Sequence, residues 1–208
     1  DTLDASERIF QAAKKAEATI LPCFTSRFDP RISAFRAAAL EPGIGALGYM
    51  YSRRNTDANT FQRVFEKIAP SFWIACHDAD LFRWFSGSEA KRVFCCAPKA
   101  TPLGTFLLAQ ITFANGSHAL LEQSSMGEAE TGHHHSRFDV QGQRRRLELD
   151  LTRPLAETDD PNRLMLHHFI DVFLGKAAPR VSLEDGIRAM RICQALDNSI
   201  KSGEPIAL

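Results

Sequence analysis

The sequence predicts an α+β fold in which helices pack against a mainly antiparallel sheet. The middle of the chain is rich in strand-like runs, and Asn115-Gly116 joins two of them in a pattern typical of a β-hairpin. Two segments with helical periodicity close the chain. With 208 residues, 44% hydrophobic and 24% charged, the chain has the composition of a globular protein and is long enough for one large domain or one domain plus a fragment.

The first segment is rich in helix formers (AAKKAEA), and the apolar run ATILPCF at 18–24 follows it as a buried strand. A helix that feeds a buried strand is typical of the end of a βα unit. Asp29-Pro30 then places an N-cap and a first-turn proline at the start of a new helix. We therefore assign 1–28 to the tail of a preceding domain and 29–208 to the main domain.

Gly43-x-Gly45-x-x-Gly48 matches the glycine fingerprint of dinucleotide-binding proteins. That fingerprint works when the glycines follow a strand and open a helix, whose N-terminal N–H groups bind the pyrophosphate. Here a helix ends before the glycines and a strand follows them. We interpret Gly43 as a helix C′ residue and the other two as a turn and a strand entry, with no bound phosphate.

The remaining helices and strands are predicted from the periodicity of apolar residues and from the residues that start or end an element. Residues 56–70 are ambiguous. Predicted strands cover 46–55, 92–97, 105–114, 117–126, 138–140 and 144–151, with a turn at Gln141-Gly142. Predicted helices run from Ser71 to Ser86-Gly87, over 161–175, and from Ser182, whose capping-box partner is Asp185, to Gly203.

Composition also excludes classes of partner. The 25 basic and 25 acidic side chains balance, whereas a nucleic-acid partner or an acidic membrane surface would favour a basic excess. No apolar stretch approaches the roughly 20 residues that span a bilayer. The acidic first residues are unlike a signal peptide, and the five cysteines lack CxxC spacing, so we expect free thiols in a reducing cytoplasm.

The stretch SFWIACHDADLFRWFSG at 71–87 holds the densest set of chemically able side chains. Asp80 lies one helical turn after His77 on the same face, while Asp78 is expected to point away. A histidine beside a carboxylate is suited to general acid/base catalysis. The same face carries apolar residues, so His77 is also interpretable as a buried core histidine, and the residues alone favour that interpretation.

The run His133-His134-His135 is the one pattern that raises the question of a metal. Successive residues point in different directions, and no carboxylate or cysteine at ligand spacing accompanies them. We predict no metal site there.

Four stretches, in order, resemble the Gfo/Idh/MocA family of oxidoreductases. They are CFTSRFDPRI, EPGIGALGYMYSRR, ACHDADLFRWFSG and PRVSLEDGIRAMRICQALDNSIKSGEPIAL. The resemblance implies the part of such an enzyme that follows its Rossmann domain. That part would begin with the last Rossmann helix and strand. An open sheet would follow, with helices on one face, as in the C-terminal domain of glyceraldehyde-3-phosphate dehydrogenase.

The resemblance also implies roles for individual residues. His77 takes the place of the catalytic histidine, and Asp80 that of a substrate contact. Arg27 lies in the turn that borders nicotinamide and substrate, and Asn55 would help to hold the substrate. Trp73 stands where the family often has an aspartate, and would form an apolar wall against the ligand.

The resemblance further implies NAD or NADP as cofactor, bound by a preceding domain that also supplies the family's catalytic lysine. The substrate would be a polyol, a sugar or a related hydroxyl compound. Because Trp73 cannot accept a proton, a non-catalytic ligand-binding or assembly module on the same fold is the alternative. An open sheet must bury its uncovered face, so we expect a homodimer or homotetramer through the strands of 92–151.

Overall fold

The computed structural model describes residues 2–63, 67–73, 75–100, 104–126, 136–152 and 155–208. The helices are α1 (Leu3–Lys15), α2 (Pro30–Ala39), α3 (Ala58–Gln62), α4 (Pro70–Trp73), α5 (Ala75–Ser86), α6 (Pro161–Phe173) and α7 (Leu183–Ser202). The strands are β1 (Leu47–Asn55), β2 (Ala90–Cys96), β3 (Phe106–Phe113), β4 (His118–Ser124), β5 (Ser136–Gly142), β6 (Arg146–Asp150) and β7 (Ile206–Ala207).

The strands form one seven-stranded sheet in the order β6-β5-β1-β4-β3-β2-β7. Only β1 and β4 pair in parallel; the other described pairs are antiparallel. The α+β class and the mainly antiparallel sheet are therefore confirmed. This parallel pair lies near the centre of the sheet. Because β1 and β4 run in the same direction, their carboxyl ends lie side by side at the same edge of the sheet.

One face of the sheet carries the hydrophobic core. Alternate residues of the strands, such as Met50, Ile111 and Val140, are fully buried against α2, α5 and α7. The opposite face has apolar side chains that stay exposed: Tyr49, Phe94, Phe106, Leu108 and Leu120. We call these five residues the outer-face patch. The period-2 alternation explains both sets, because successive side chains point to opposite faces.

The segment 18–24, predicted as a buried strand, is neither helix nor strand among the described elements, and a 3₁₀ turn follows at Thr25–Phe28. Its assignment as the last strand of a preceding domain stays a prediction. A strand requires a hydrogen-bonded neighbour, and no described strand lies beside this segment. Pro22, which lacks an N–H group, also weakens any pairing there.

The two hairpins are confirmed, with one change of turn. β3 and β4 pair on either side of Asn115-Gly116 as predicted. The second turn lies at 143–145 rather than at Gln141-Gly142, since β5 extends through Gly142. Gly142 packs closely against Ile44, and an added Cβ would clash with the Ile44 carbonyl oxygen, so only glycine fits there.

The glycine stretch follows a helix and precedes a strand, as predicted, so it cannot open a helix onto a phosphate. Its conformation differs in one detail. Gly43 lies inside a 3₁₀ turn at Pro42–Ile44, and Gly45 is the residue with positive φ, 75°. The interpretation of Gly43 as a helix C′ residue was therefore wrong, because α2 ends two residues earlier than that role requires.

The predicted capping residues of α2 and α7, two helices that pack on the sheet, are confirmed. The Asp29 side chain accepts from the Arg31 N–H at the start of α2. At the start of α7, Ser182 and Asp185 form the predicted capping box, and Gly203 ends that helix in the left-handed conformation. Among the described residues, no helix combines the length and apolar character needed to cross a bilayer.

Candidate functional site

His77 lies in the first turns of α5, partly buried beside the edge of the Phe24 ring, whose centroid is 5.7 Å away. Its Nδ1 atom is buried and has no hydrogen-bond partner. A core histidine normally satisfies its ring nitrogens. The unpartnered nitrogen therefore favours a histidine whose partner is a ligand over one that serves packing alone.

Burial lowers the pKa of His77 from its ordinary 6.5 to about 4. The positive charge of Arg54 lowers the pKa further, and the carboxylate of Asp78 partly opposes both effects. At neutral pH the imidazole is therefore uncharged, and one ring nitrogen is free to accept a proton.

The lowered pKa of His77 predicts a pH-dependent stability. The unfolded chain binds a proton below about pH 6.5 and the folded chain only below about pH 4, so the free energy of unfolding should fall as the pH drops through this window. The 2.5-unit difference corresponds to roughly 3 kcal/mol at 1.36 kcal/mol per unit. Urea unfolding of the wild type and His77→Gln at pH 7 and pH 4 measures this contribution.

The variant His77→Gln should lose less stability between the two pH values than the wild type does. His167→Gln is the matched control, because His167 is exposed on α6. Equal pH dependence in the wild type and His77→Gln would contradict the prediction.

Arg27 and Asp80 form a buried bidentate ion pair. Arg27 Nε and Nη2 donate to the two carboxylate oxygens of Asp80 at 2.7 and 2.6 Å. Arg27 Nη1 also reaches the carbonyl oxygen of Arg180 and the carboxylate of Asp185. The pair thus ties the turn before α2 to α5 and to the start of α7.

Asp80 has no exposed surface, and desolvation raises its pKa even though the Arg27 guanidinium opposes that rise. Both of its oxygens are already occupied by Arg27. A substrate could bind Asp80 or Arg27 only after this pair opened. The predicted substrate contacts remain predictions, and the geometry gives both residues a structural role.

Arg54 and Asp78 form a second buried pair, which the sequence did not predict. Arg54 Nη2 and Nε donate to the Asp78 carboxylate at 2.9 and 3.2 Å, across the interface between β1 and α5. Burial is the largest effect on Arg54 and alone would lower its pKa, but the charge of Asp78 and the hydrogen bonds to it together raise the pKa above its ordinary value. Asp78 points away from the helix face of His77 and Asp80, as expected, but it points into the protein, on the face that carries the buried Phe82 and Phe85.

Trp73, at the end of α4, packs on the ring of Phe61 with a centroid distance of 5.5 Å. It lines a small cavity together with Pro70, Gln123 and Ser125. This arrangement is that of an apolar wall.

Asn55 lies at the carboxyl end of β1, and its Oδ1 atom is buried with no hydrogen-bond partner. The same is true of Thr56 Oγ1 and of both amide atoms of Gln123. Gln123 is near the end of β4, in register with Arg54 on the parallel neighbour β1. Each buried group left unpaired costs about 1–3 kcal/mol, so a set of them at one strand edge indicates a site that a ligand completes.

The family resemblance proposed His77, Trp73 and Asn55 as site residues, and sequence reasoning did not propose Thr56 or Gln123. The alternation of β4, with Leu121 buried, would have placed Gln123 on the core face as a polar residue. Among the described residues no group of three or more side chains is arranged to hold a metal ion. The histidines at 133–135 lie outside the described residues.

Comparison with known proteins identifies the fold. No family model matches the chain. It is 23% identical over 235 residues to the uncharacterized oxidoreductase YrbE of Bacillus subtilis (strain 168), an alignment that covers all of this chain and 68% of that protein.

Solved structures are similar along the whole chain. A probable dehydrogenase from Thermotoga maritima has a TM-score of 0.85 at 19% identity, over 99% of this chain and 69% of that one. GenD2 from gentamicin A biosynthesis, in complex with NAD, has a TM-score of 0.85 at 14% identity, over 100% and 68%. The scyllo-inositol dehydrogenase of Lactobacillus casei, with bound NAD(H) and scyllo-inositol, has a TM-score of 0.78 at 15% identity, over 99% and 69%.

Two of these neighbours are dehydrogenases by name, and the fold implied by the resemblance of the four sequence stretches is confirmed. The open sheet with helices on one face matches the C-terminal domains of such enzymes.

Proposed function

We propose that this chain is the C-terminal, substrate-binding domain of an NAD(P)-dependent oxidoreductase, which transfers hydride between nicotinamide and a polyol, sugar or related hydroxyl compound. Residues 1–28 would be the last part of a Rossmann domain that binds the cofactor, and 29–208 the substrate domain. The likeness to an NAD-bound inositol dehydrogenase supports the cofactor and the substrate class. The reducing cytoplasm is the compartment that suits this chemistry and the free cysteines.

The observation that carries the proposal is the state of His77. It has an uncharged imidazole with a buried, unpartnered nitrogen, at an edge where Asn55 also lacks a partner. Groups of this kind are expected where a hydroxylated ligand supplies the missing hydrogen bonds.

The chemistry assigned to the chain is proton transfer. When a CH–OH group is oxidised, its carbon gives a hydride to nicotinamide and its hydroxyl gives a proton to a base. His77 would accept that proton, and in the reverse direction return it. Asn55 would orient the hydroxyl groups, and Trp73 would exclude water from one side. Arg27 would border the nicotinamide as well as the substrate.

The complete protein tests the proposal. It should bind NAD or NADP and change nicotinamide absorbance with at least one member of a panel of inositols, aldoses and sugar alcohols. The residues that precede this chain should contain a strand–GxGxxG–helix unit followed by a catalytic lysine. Absence of both cofactor binding and turnover would overturn the proposal and favour the alternative, a non-catalytic ligand-binding or assembly module.

We also propose that the chain forms a homodimer or homotetramer through the outer-face patch. Its five members lie on adjacent strands β1, β4, β3 and β2, and are 37–46% exposed. Contiguous apolar side chains on an open sheet are typical of an interface between subunits.

The double variant Leu108→Glu/Leu120→Glu should dissociate the oligomer to monomers at micromolar concentration, because it places charges at the centre of the patch. Light scattering measures the change. Leu166→Glu/Ile170→Glu on α6 is the matched control, since those residues are also exposed and lie on a helix. A wild-type chain that is already monomeric would contradict this proposal.

A further inference from the structure

A cavity of about 380 Å³ opens beside the Trp73 wall. Its floor is apolar, formed by Phe61, Ile68, Ala69, Pro70 and Ala100. Phe61 is the ring on which Trp73 packs, and Pro70 lines this cavity and the smaller one at Gln123. The two cavities therefore lie on either side of Pro70, and Phe61 and Trp73 contact each other between them.

The charged residues that line this cavity, among those described, are Lys67 and Lys99, both exposed. Neither has a carboxylate within ion-pair distance in the part of the chain that the structure describes. Most other cations near the site are paired: Arg54 with Asp78, and Arg27 with Asp80. Among the described residues, the two lysines therefore have no competing carboxylate and are available to an anion from outside the chain.

The second cavity supplies an independent observation. Gln123 is 6% exposed, and neither its amide nitrogen nor its amide oxygen has a partner. It lines the small cavity with Trp73. A buried amide without partners is costly, and a ligand hydroxyl, which both donates and accepts, would satisfy it.

We propose that the substrate of this site is a polyhydroxylated compound with an anionic group, a carboxylate or a phosphate. Lys67 and Lys99 bind the anionic group, and Gln123 binds a hydroxyl group. The apolar floor and Trp73 contact the C–H face of the compound, as in pockets that combine apolar walls with a few polar anchors. Lysine ammonium groups form strong charge-assisted hydrogen bonds to such anions. This inference rests on the proposed function and specifies its substrate class.

Tryptophan fluorescence provides the test. The chain has two tryptophans, and the variant Trp84→Phe leaves Trp73, beside the cavity, as the only one. In that background we expect D-glucuronate or D-glucose 6-phosphate to change the emission with at least tenfold higher affinity than neutral D-glucose. The two anionic probes distinguish a carboxylate from a phosphate ligand. Affinity for the anion should fall as salt is raised, because the lysines are exposed.

Two variants and one control show where the probe binds. Lys67→Ala/Lys99→Ala should weaken binding of the anionic probe at least tenfold. The control Lys91→Ala/Lys176→Ala removes the same charge at exposed lysines elsewhere and should leave the affinity unchanged. Gln123→Leu should weaken binding of both anionic probes and raise the melting temperature. Higher melting temperature with lower affinity is a result that a purely structural glutamine would not give.

Three results would overturn the inference: equal affinity for D-glucose and both anions, an unchanged affinity in Lys67→Ala/Lys99→Ala, or no emission change with any probe. The proposed function fails differently. A complete protein that oxidises neutral polyols without need of the lysines keeps that function and loses this inference. A chain that binds anions through the lysines, in a protein without nicotinamide activity, keeps the binding site and loses the oxidoreductase.

Discussion

Replacing Asp80 with alanine is expected to lower the free energy of unfolding by about 3–5 kcal/mol, the usual cost of leaving one member of a buried ion pair without its partner. Arg27, 4% exposed, would keep its charge and lose two hydrogen bonds of 2.7 and 2.6 Å. Its other contacts, to Arg180 and Asp185, are longer and cannot replace them. Urea unfolding followed by circular dichroism measures the loss.

Two further variants separate the pair from its surroundings. Asp4→Ala removes an exposed ion pair with Arg8 on α1 and should cost less than about 1 kcal/mol. Arg27→Met/Asp80→Leu removes both charges together and should recover most of the stability that Asp80→Ala loses, because no unpaired charge remains. A loss below 1 kcal/mol in Asp80→Ala would show that the pair is open in solution. Asp80 would then be available to a substrate, as the family resemblance implies.

In the complete protein, His77→Ala is expected to lower kcat by about 10²- to 10⁴-fold, the range typical of a lost general acid/base. The loss should fall on kcat more than on KM if His77 moves a proton rather than only holding the substrate. Nicotinamide absorbance with the best substrate of the panel measures both constants. His167→Ala, on the exposed side of α6, should leave them unchanged.

His77→Ala should fold normally, because His77 is only partly buried and its Nδ1 atom bonds to no other group of the chain. An unchanged melting temperature would confirm that the loss of turnover is chemical. Full turnover in a well-folded His77→Ala protein would refute the assigned role. The proton would then pass to a group of the preceding domain.

The site was predictable where a local pattern fixed it. The helical stretch drew attention to His77, but the family resemblance supplied the site roles of His77, Trp73 and Asn55, and these roles stay predictions. Gln123 was not identified, because its importance comes from what is missing around it. A buried amide without a partner is visible only when all of its neighbours are known.

The two ion pairs illustrate the same limit. Arg27 and Asp80 are 53 residues apart, and Arg54 and Asp78 are 24 apart. Helical period placed Asp80 beside His77 but gave no information on the arginine that occupies both of its oxygens. Each pair joins different elements, so it exists only after those elements have packed.

By itself, the sequence determined the fold class, the hairpin at Asn115-Gly116, the caps of α2 and α7, and the rejection of the glycine fingerprint. These features depend on residues close together in the chain, so the periodicity of apolar residues and the residues typical of turns and caps predict them directly. Tertiary structure alone decided that β1 and β4 are parallel, and that Asp78 and Asp80 are buried against arginines. Such features depend on partners distant in sequence, and the free energy that selects them arises from burial and desolvation, which no local pattern encodes.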